Sequence, residues 1–257
     1  MLIGASLKMY FSHARTVAWT REVSAMAAAH PAVADGRVSP FVIPQYPSIA
    51  ACVEIGRPVG LAVGAQDIAT EDEGPYTGEV SGAVLAEVGC RYVEVGHAER
   101  RRLFGDTGDV VAAKVAAAQR NRIVPLLCVG EADQRDPASA AAEVVRQIDS
   151  GLAAARAAGL HRPVVIAYEP IWAIGAAEPA GADHIRAVCG ALRAHLAVAP
   201  EQASVIYGGS AGPGLLTDIA DAVDGVFLGR FAHDPAAFGE ILDEASRLTP
   251  ASQEDPR

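Results

Sequence analysis

Four ionisable residues each stand at the end of a short apolar run. Lys8 follows Leu2–Leu7, His97 and Glu99 follow Tyr92–Gly96, and Glu169 follows Val164–Tyr168. A carboxylate closing a buried apolar run is costly unless it has work or a partner, and the same burial raises its pKa toward the range useful to a general base. Glu169 has that position. His97 comes after Gly96, which permits close backbone approach, and before a segment whose pattern predicts a helix. A helix N-terminus facing the ring disfavours imidazolium, and a neutral ring can polarise a carbonyl and carry protons between two oxygens. Lys8 would supply a fixed positive charge that holds an anion and stabilises negative charge developing on an oxygen. Glu99 would pair with Lys8 from a neighbouring strand. Taken together, the set points to removal of a carbon-bound proton beside a carbonyl. Taken singly, each also has a plain reading: a solvated lysine, a structural histidine, a solvated glutamate.

Two further stretches suggest where an anion would sit and how water would be kept out. Tyr207-Gly208-Gly209-Ser210 and Gly229-Arg230 each follow an apolar run. Glycines in such loops turn backbone N–H groups toward an anion, although a lone Gly-Gly is also common in plain turns. After Glu169, the run Pro170-Ile171-Trp172-Ala173-Ile174-Gly175 is unusually apolar for a loop. Beginning beside a carboxylate, it reads as a lid that excludes water, with permanent packing on the surface as the alternative.

The elements needed to position these residues are visible in the apolar pattern. Runs recur at Leu2–Leu7, Val38–Ile43, Leu61–Gln66, Tyr92–Gly96, Ile123–Val129, Val164–Tyr168, Ser204–Tyr207 and Gly225–Leu228. Ala-rich segments with helical spacing lie between them, including Ala14–Ala29, Val110–Arg120, Ala138–Ala158 and Ala182–Leu196. Strands alternating with helices imply right-handed crossovers and a parallel sheet. Eight such units in 257 residues predict a closed single-domain (β/α)8 barrel spanning 1–248, with an open doubly wound sheet as the alternative. In such barrels chemistry gathers at the C-terminal ends of the strands. Residues 249–257 read as a polar tail.

Composition removes several classes of partner. The formal net charge is −10, whereas a nucleic-acid partner calls for clustered basic residues, and Arg100, Arg101 and Arg102 are too few. No run approaches the roughly 18 apolar residues a membrane helix needs, and the N-terminus lacks the pattern of a signal peptide. The cysteines, Cys52, Cys90, Cys128 and Cys189, include no close pair suited to metal or redox work. Reduced buried thiols and a cytoplasmic protein are the expectation.

The chain resembles the triosephosphate isomerase family from Leu2 to about Leu248. The resemblance rests on Leu7-Lys8-Met9, Gly64-Ala65-Gln66, Tyr76-Thr77-Gly78-Glu79, Gly96-His97-Ala98-Glu99-Arg100-Arg101, Cys128-Val129-Gly130-Glu131, Tyr168 to Gly175, and Tyr207-Gly208-Gly209-Ser210, all in order. It implies that Lys8 positions substrate, His97 is the neutral electrophile and Glu169 is the base. It further implies a lid through Gly175 closing over a phosphate, with Tyr207 and Ser210 as its latch. A homodimer is implied through the loop Pro75-Tyr76-Thr77-Gly78, and neither metal nor organic cofactor is needed for proton transfer through an enediolate.

The departures cluster around the ligand. Ser6 stands where the family has Asn, Ala98 where it has Ser, and Ala176-Ala177-Glu178 where it has Thr-Gly-Lys. Gly229-Arg230 replaces Gly-Gly, so a guanidinium stands beside the phosphate loop, either to bind phosphate or to obstruct its amides. The expected substrate is a triose phosphate, the commoner activity, with dihydroxyacetone phosphate and glyceraldehyde 3-phosphate interconverted through an enediolate; the alternative is a four-carbon ketose phosphate passing between L-erythrulose 1-phosphate and D-erythrulose 4-phosphate. Readings from other classes are a non-catalytic sugar-phosphate-binding barrel and an aldolase using a Schiff-base lysine.

Overall fold

The computed structural model describes residues 1–176 and 178–250. Ala177 of the expected lid hinge and residues 251–257 of the expected tail lie outside the described residues. Eight parallel strands close into one ring: β1 (Leu2–Ser6), β2 (Ser39–Ile43), β3 (Ala62–Ala65), β4 (Tyr92–Val95), β5 (Val124–Val129), β6 (Val164–Tyr168), β7 (Ala203–Tyr207) and β8 (Gly225–Leu228). Pairing of Leu2 with Gly225 and Ala5 with Leu228 seals the seam, which rules out the open sheet. Gly225 is needed there, because a Cβ would lie 1.8 Å from the Leu2 carbonyl oxygen.

Helices cover the outside of the ring. α1 (His13–Ala29) and the short α2 (Pro31–Ala34) follow β1, α3 (Ile49–Gly56) follows β2, and α4 (Gly82–Glu87) follows β3. α5 (Ala98–Phe104) and α6 (Gly108–Arg120) follow β4, and α7 (Pro137–Ala157) follows β5. α8 (Ala182–Leu196), α9 (Leu215–Ile219) and α10 (Pro235–Leu248) follow β6, β7 and β8. Their starts are written in the sequence. Ser12, Thr107 and Asp136 each accept a backbone N–H from three residues on, a cap typically worth about 1 kcal/mol. Among the described residues, no helix is long and apolar enough to cross a membrane. All four cysteines are free and buried.

Strand alternation divides the apolar residues into two cores. Val42, Val63, Val93, Val95, Leu127, Ile166 and Val205 face outward into the large core beneath the helices. Phe41, Ile43, Leu126, Val165, Ala167, Ile206 and Phe227 face inward and fill the ring. Phe41 packs on Tyr92 at 4.6 Å and on Phe227 at 5.8 Å between ring centroids. It lies where a Gly4 side chain would otherwise stand: a Cβ on Gly4 would be 2.0 Å from its ring. Two residues further along β1, β4 and β6, the same inward face presents Ser6, Glu94 and Glu169. The barrel is therefore dry and aromatic in its middle and ionisable at its C-terminal rim.

Candidate active site

Lys8 leaves β1 with a left-handed φ of 45°, a conformation that is strained for a side chain of this kind. The Gln66 amide helps hold it, donating to the Lys8 carbonyl at 2.9 Å and to the Ile43 carbonyl at 3.2 Å. The ammonium lies 2.8 Å from Glu99 Oε1. Burial pulls the Lys8 pKa down, but the hydrogen bond to Glu99 and the charges of Glu99, Glu169 and Glu94 outweigh it, so the net shift is upward. A Schiff-base lysine needs the opposite shift. The chain's other lysine, Lys114, is buried 2.7 Å from Asp67 and 2.9 Å from Asp106. Neither lysine is the free amine that an aldolase would need.

His97 is the N-cap of α5, and its Nδ1 accepts the Glu99 backbone N–H at 3.1 Å. An occupied Nδ1 acceptor assigns the proton of a neutral ring to Nε2. Burial first, then the Lys8 ammonium, lowers the ring's pKa to about 4 against the opposing pull of Glu99. The ring is thus neutral near pH 7. Its Nε2 lies 3.7 Å from Glu169 Oε2 and 3.9 Å from Glu94 Oε1, both beyond a hydrogen bond.

Glu169 is 5% exposed, and its pKa is pushed up to about 8, chiefly by burial and then by the charge of Glu94. Its Oε2 has no hydrogen-bond partner among the described residues. Two glycines make room for it. A Cβ on Gly208 would lie 2.5 Å from Oε1, and one on Gly130 would lie 2.0 Å from the Glu169 carbonyl oxygen. A carboxylate with one oxygen unpartnered and an imidazole N–H therefore lie side by side on the wall of one cavity, where a reacting carbon and its oxygens can reach both.

The loop from Pro170 is a single 3-10 turn, Ile171–Ala173, tied down at several points. Trp172 Nε1 donates to Glu131 Oε1 at 2.8 Å, and Tyr168 OH donates to the same oxygen at 3.1 Å. Ser210 Oγ donates to the carbonyls of Ala173 and Ala176, at 2.8 and 3.2 Å, from a residue with φ 50°. Tyr207 OH accepts the Ala180 N–H at 3.0 Å. Arg230 Nη2 donates to the Gly175 carbonyl at 3.0 Å, which joins the β8 loop to the loop after β6, and the residue also lines the cavity. Gly175, Ser210, Gly229 and Arg230 line one wall of the cavity that holds Lys8, His97 and Glu169. Gly209 carries no side chain because Tyr207 occupies the space: a Cβ there would lie 2.6 Å from the hydroxyl. Tyr76, Thr77 and Gly78 are exposed and do not line this cavity.

Sequence reasoning missed Glu94. Its residue type lay hidden inside an apolar strand, yet strict two-residue alternation from Tyr92 turns it into the barrel beside the histidine's strand end. It is 3% exposed, accepts the Ser6 hydroxyl at 3.0 Å through Oε2, and has its pKa raised to about 7 by burial. Glu131, present in the sequence reading only within a matching motif, accepts from Trp172 and Tyr168 and so holds the loop after β6. His233 and Tyr10, also on the cavity wall, carried no sequence signal.

A parallel eight-stranded barrel with a buried carboxylate, a neutral histidine and a lysine at its C-terminal rim defines a sugar-phosphate isomerase class of site. The sequence model of the triosephosphate isomerase family matches residues 1–245. The chain is 48% identical to an L-erythrulose-1-phosphate isomerase of Pectobacterium atrosepticum, over 97% of each. It is 38% identical to a triosephosphate isomerase of a Synechococcus species, over 100% of this chain and 99% of the relative. A triosephosphate isomerase of Moorella thermoacetica matches at 40% over 83% of this chain and 88% of its own length. The chain belongs to the triosephosphate isomerase family, and it is an isomerase.

Proposed function

We propose that this isomerase interconverts L-erythrulose 1-phosphate and D-erythrulose 4-phosphate. The observation that carries the choice of a four-carbon substrate is Ser6. Its short side chain turns back onto Glu94 at 3.0 Å, so the rim of β1 stays open where an asparagine amide would project. The 48% identity to an L-erythrulose-1-phosphate isomerase supports the same choice. Cavity volume does not discriminate, since ≈1040 Å3 exceeds the need of either sugar.

The chemistry follows from the site. The phosphate binds among the backbone amides of Gly175, Ser210 and Gly229, where glycine loops expose donors to an anion. Lys8, held in its charged form by Glu99, fixes the substrate oxygens and stabilises the charge that develops on them. Glu169 removes the C3 proton as the C2 carbonyl becomes an enediolate. His97 donates from Nε2 to the C2 oxygen and takes the proton of the C3 hydroxyl. Glu169 then returns its proton to C2, and the carbonyl now stands at the former C3. No redox partner is consumed. The closed lid keeps water from the enediolate. The working unit is proposed to be a homodimer, joined through the loop carrying Tyr76, Thr77 and Gly78.

The test is kcat/KM for L-erythrulose 1-phosphate and dihydroxyacetone phosphate in one preparation. The four-carbon substrate is expected to lead by at least a factor of ten. A lead for dihydroxyacetone phosphate would overturn the proposal in favour of the triose activity that the Synechococcus and Moorella relatives bear in their names.

A further inference from the structure

We infer that Glu94 is a specificity-determining residue: held by Ser6, its free carboxylate oxygen receives the terminal hydroxyl that a four-carbon ketose phosphate carries beyond the reacting carbons. This deepens the proposed function and rests on it.

Three observations converge. First, Glu94 is a buried carboxylate with only half of its hydrogen-bonding capacity used. Oε2 accepts from Ser6, while Oε1 receives no hydrogen bond among the described residues and lies 3.9 Å from His97 Nε2, and Glu94 lines the cavity. A buried charge is expensive unless paired or hydrogen-bonded, and Ser6 alone is a weak partner for it. Second, the ring order places β4 four strands from β8 in a closed barrel of eight. Glu94 thus stands across the barrel from Gly229 at the proposed phosphate end. A substrate anchored there and handled at its two oxygens by His97, also at the end of β4, extends toward Glu94. Third, a triose presents only hydrogen at that end of its reacting carbon, whereas the longer sugar presents a hydroxymethyl group. The hydroxyl would donate to Oε1 and complete the coordination of the carboxylate. A site built to bond a substrate hydroxyl rejects the analogue lacking it far more strongly than an apolar pocket rejects a missing methylene.

A residue acting only on the charge of Glu169 would change all substrates alike, so the ratio between substrates is the diagnostic. The experiment compares wild type, Glu94→Gln and Glu94→Leu. It measures kcat/KM for L-erythrulose 1-phosphate and dihydroxyacetone phosphate, and inhibition constants for the unreactive erythritol 4-phosphate and glycerol 3-phosphate. In Glu94→Leu, the four-carbon to three-carbon kcat/KM ratio is expected to fall about 10- to 100-fold, the range for a lost hydrogen bond to a charged group. The ratio of inhibition constants should move the same way. Glu94→Gln keeps an acceptor oxygen and should fall between, and it serves alone if the leucine variant does not fold. Unchanged ratios in both assays would overturn the inference. If wild type prefers dihydroxyacetone phosphate while Glu94→Leu still erases a preference for erythritol 4-phosphate, the substrate proposal fails and the hydroxyl subsite stands.

Discussion

At the scale of single residues, burial sets the chemistry. Glu169 and Glu94 are both buried at the same rim, and their pKa values are pushed to about 8 and about 7, first by desolvation. Such shifts oppose stability. A carboxyl whose folded pKa exceeds its unfolded value contributes stability fully below the unfolded pKa, about 4.5, and that contribution is lost as pH rises through the folded one. With each pKa unit worth about 1.4 kcal/mol, the two groups are poor candidates for a structural role. Their sign in catalysis is the reverse, because only ionised Glu169 can take a proton. The kcat/KM profile reports the free enzyme, so activity should rise with pH through an acid limb centred well above 4.5. Glu94→Gln removes the neighbouring negative charge and should shift that midpoint to lower pH. Rate measurements between pH 5 and 10 decide it, and a midpoint near 4.5, or one that Glu94→Gln leaves in place, contradicts the electrostatic picture. Lys8, His97 and Glu169 were legible in the sequence because they end apolar runs, where a charge stands out. Glu94 lies within such a run, and only the inward or outward sense of its strand reveals it.

At the scale of elements, all eight strands were legible because each is a short apolar run buried on both faces. Val164–Tyr168 and Gly225–Leu228 match the sequence reading to the residue, and the other six strands differ from it by one residue at one end or both, where ladder pairing gives way to turns. The state of the lid was not legible, since its fastenings join residues distant in sequence. The Tyr207 hydroxyl reaches Ala180, Ser210 reaches Ala173 and Ala176, and Arg230 reaches Gly175. The arginine illustrates the limit: its type suggested an anion ligand, and its bond to the Gly175 carbonyl could not be read from type or spacing. Tyr207→Phe tests this layer. It leaves the ring packed against Tyr168 at 6.1 Å but strips the Ala180 N–H of its acceptor, a loss of about 1–3 kcal/mol for a buried donor. In the proposed mechanism the closed lid binds and shields the enediolate, so kcat/KM should fall about tenfold or more. Cleavage by a protease within residues 170–180 should quicken in parallel. Unaltered kinetics with faster cleavage would show that lid closure does not limit turnover.

At the scale of the whole molecule, the barrel was readable from periodicity, but its assembly was not, because periodicity reports which residues face a core and says nothing of what meets an exposed one. The surface is informative here. Met9 is 85% exposed directly after Lys8, and Tyr10, Tyr76, Val84, Leu103 and Phe104 are large apolar residues also left in solvent. Tyr76 and Val84 share one shallow cleft. Burying such groups against a second copy would contribute about 25 cal/mol per Å2, and it would bear on catalysis. The left-handed backbone at Lys8 costs on the order of 1–3 kcal/mol and persists only where its surroundings over-determine it; in one copy, Gln66 is the side chain that holds the Lys8 carbonyl. A partner packed over Met9 would supply the remaining restraint. Sedimentation at micromolar concentration should therefore give the mass of two copies. Replacing Thr77 by Arg should yield a folded monomer, because the exposed loop is not part of either core, and kcat should drop at least tenfold as Lys8 relaxes. A wild-type monomer with full activity, or a variant monomer as fast as wild type, would show that one barrel holds its lysine unaided.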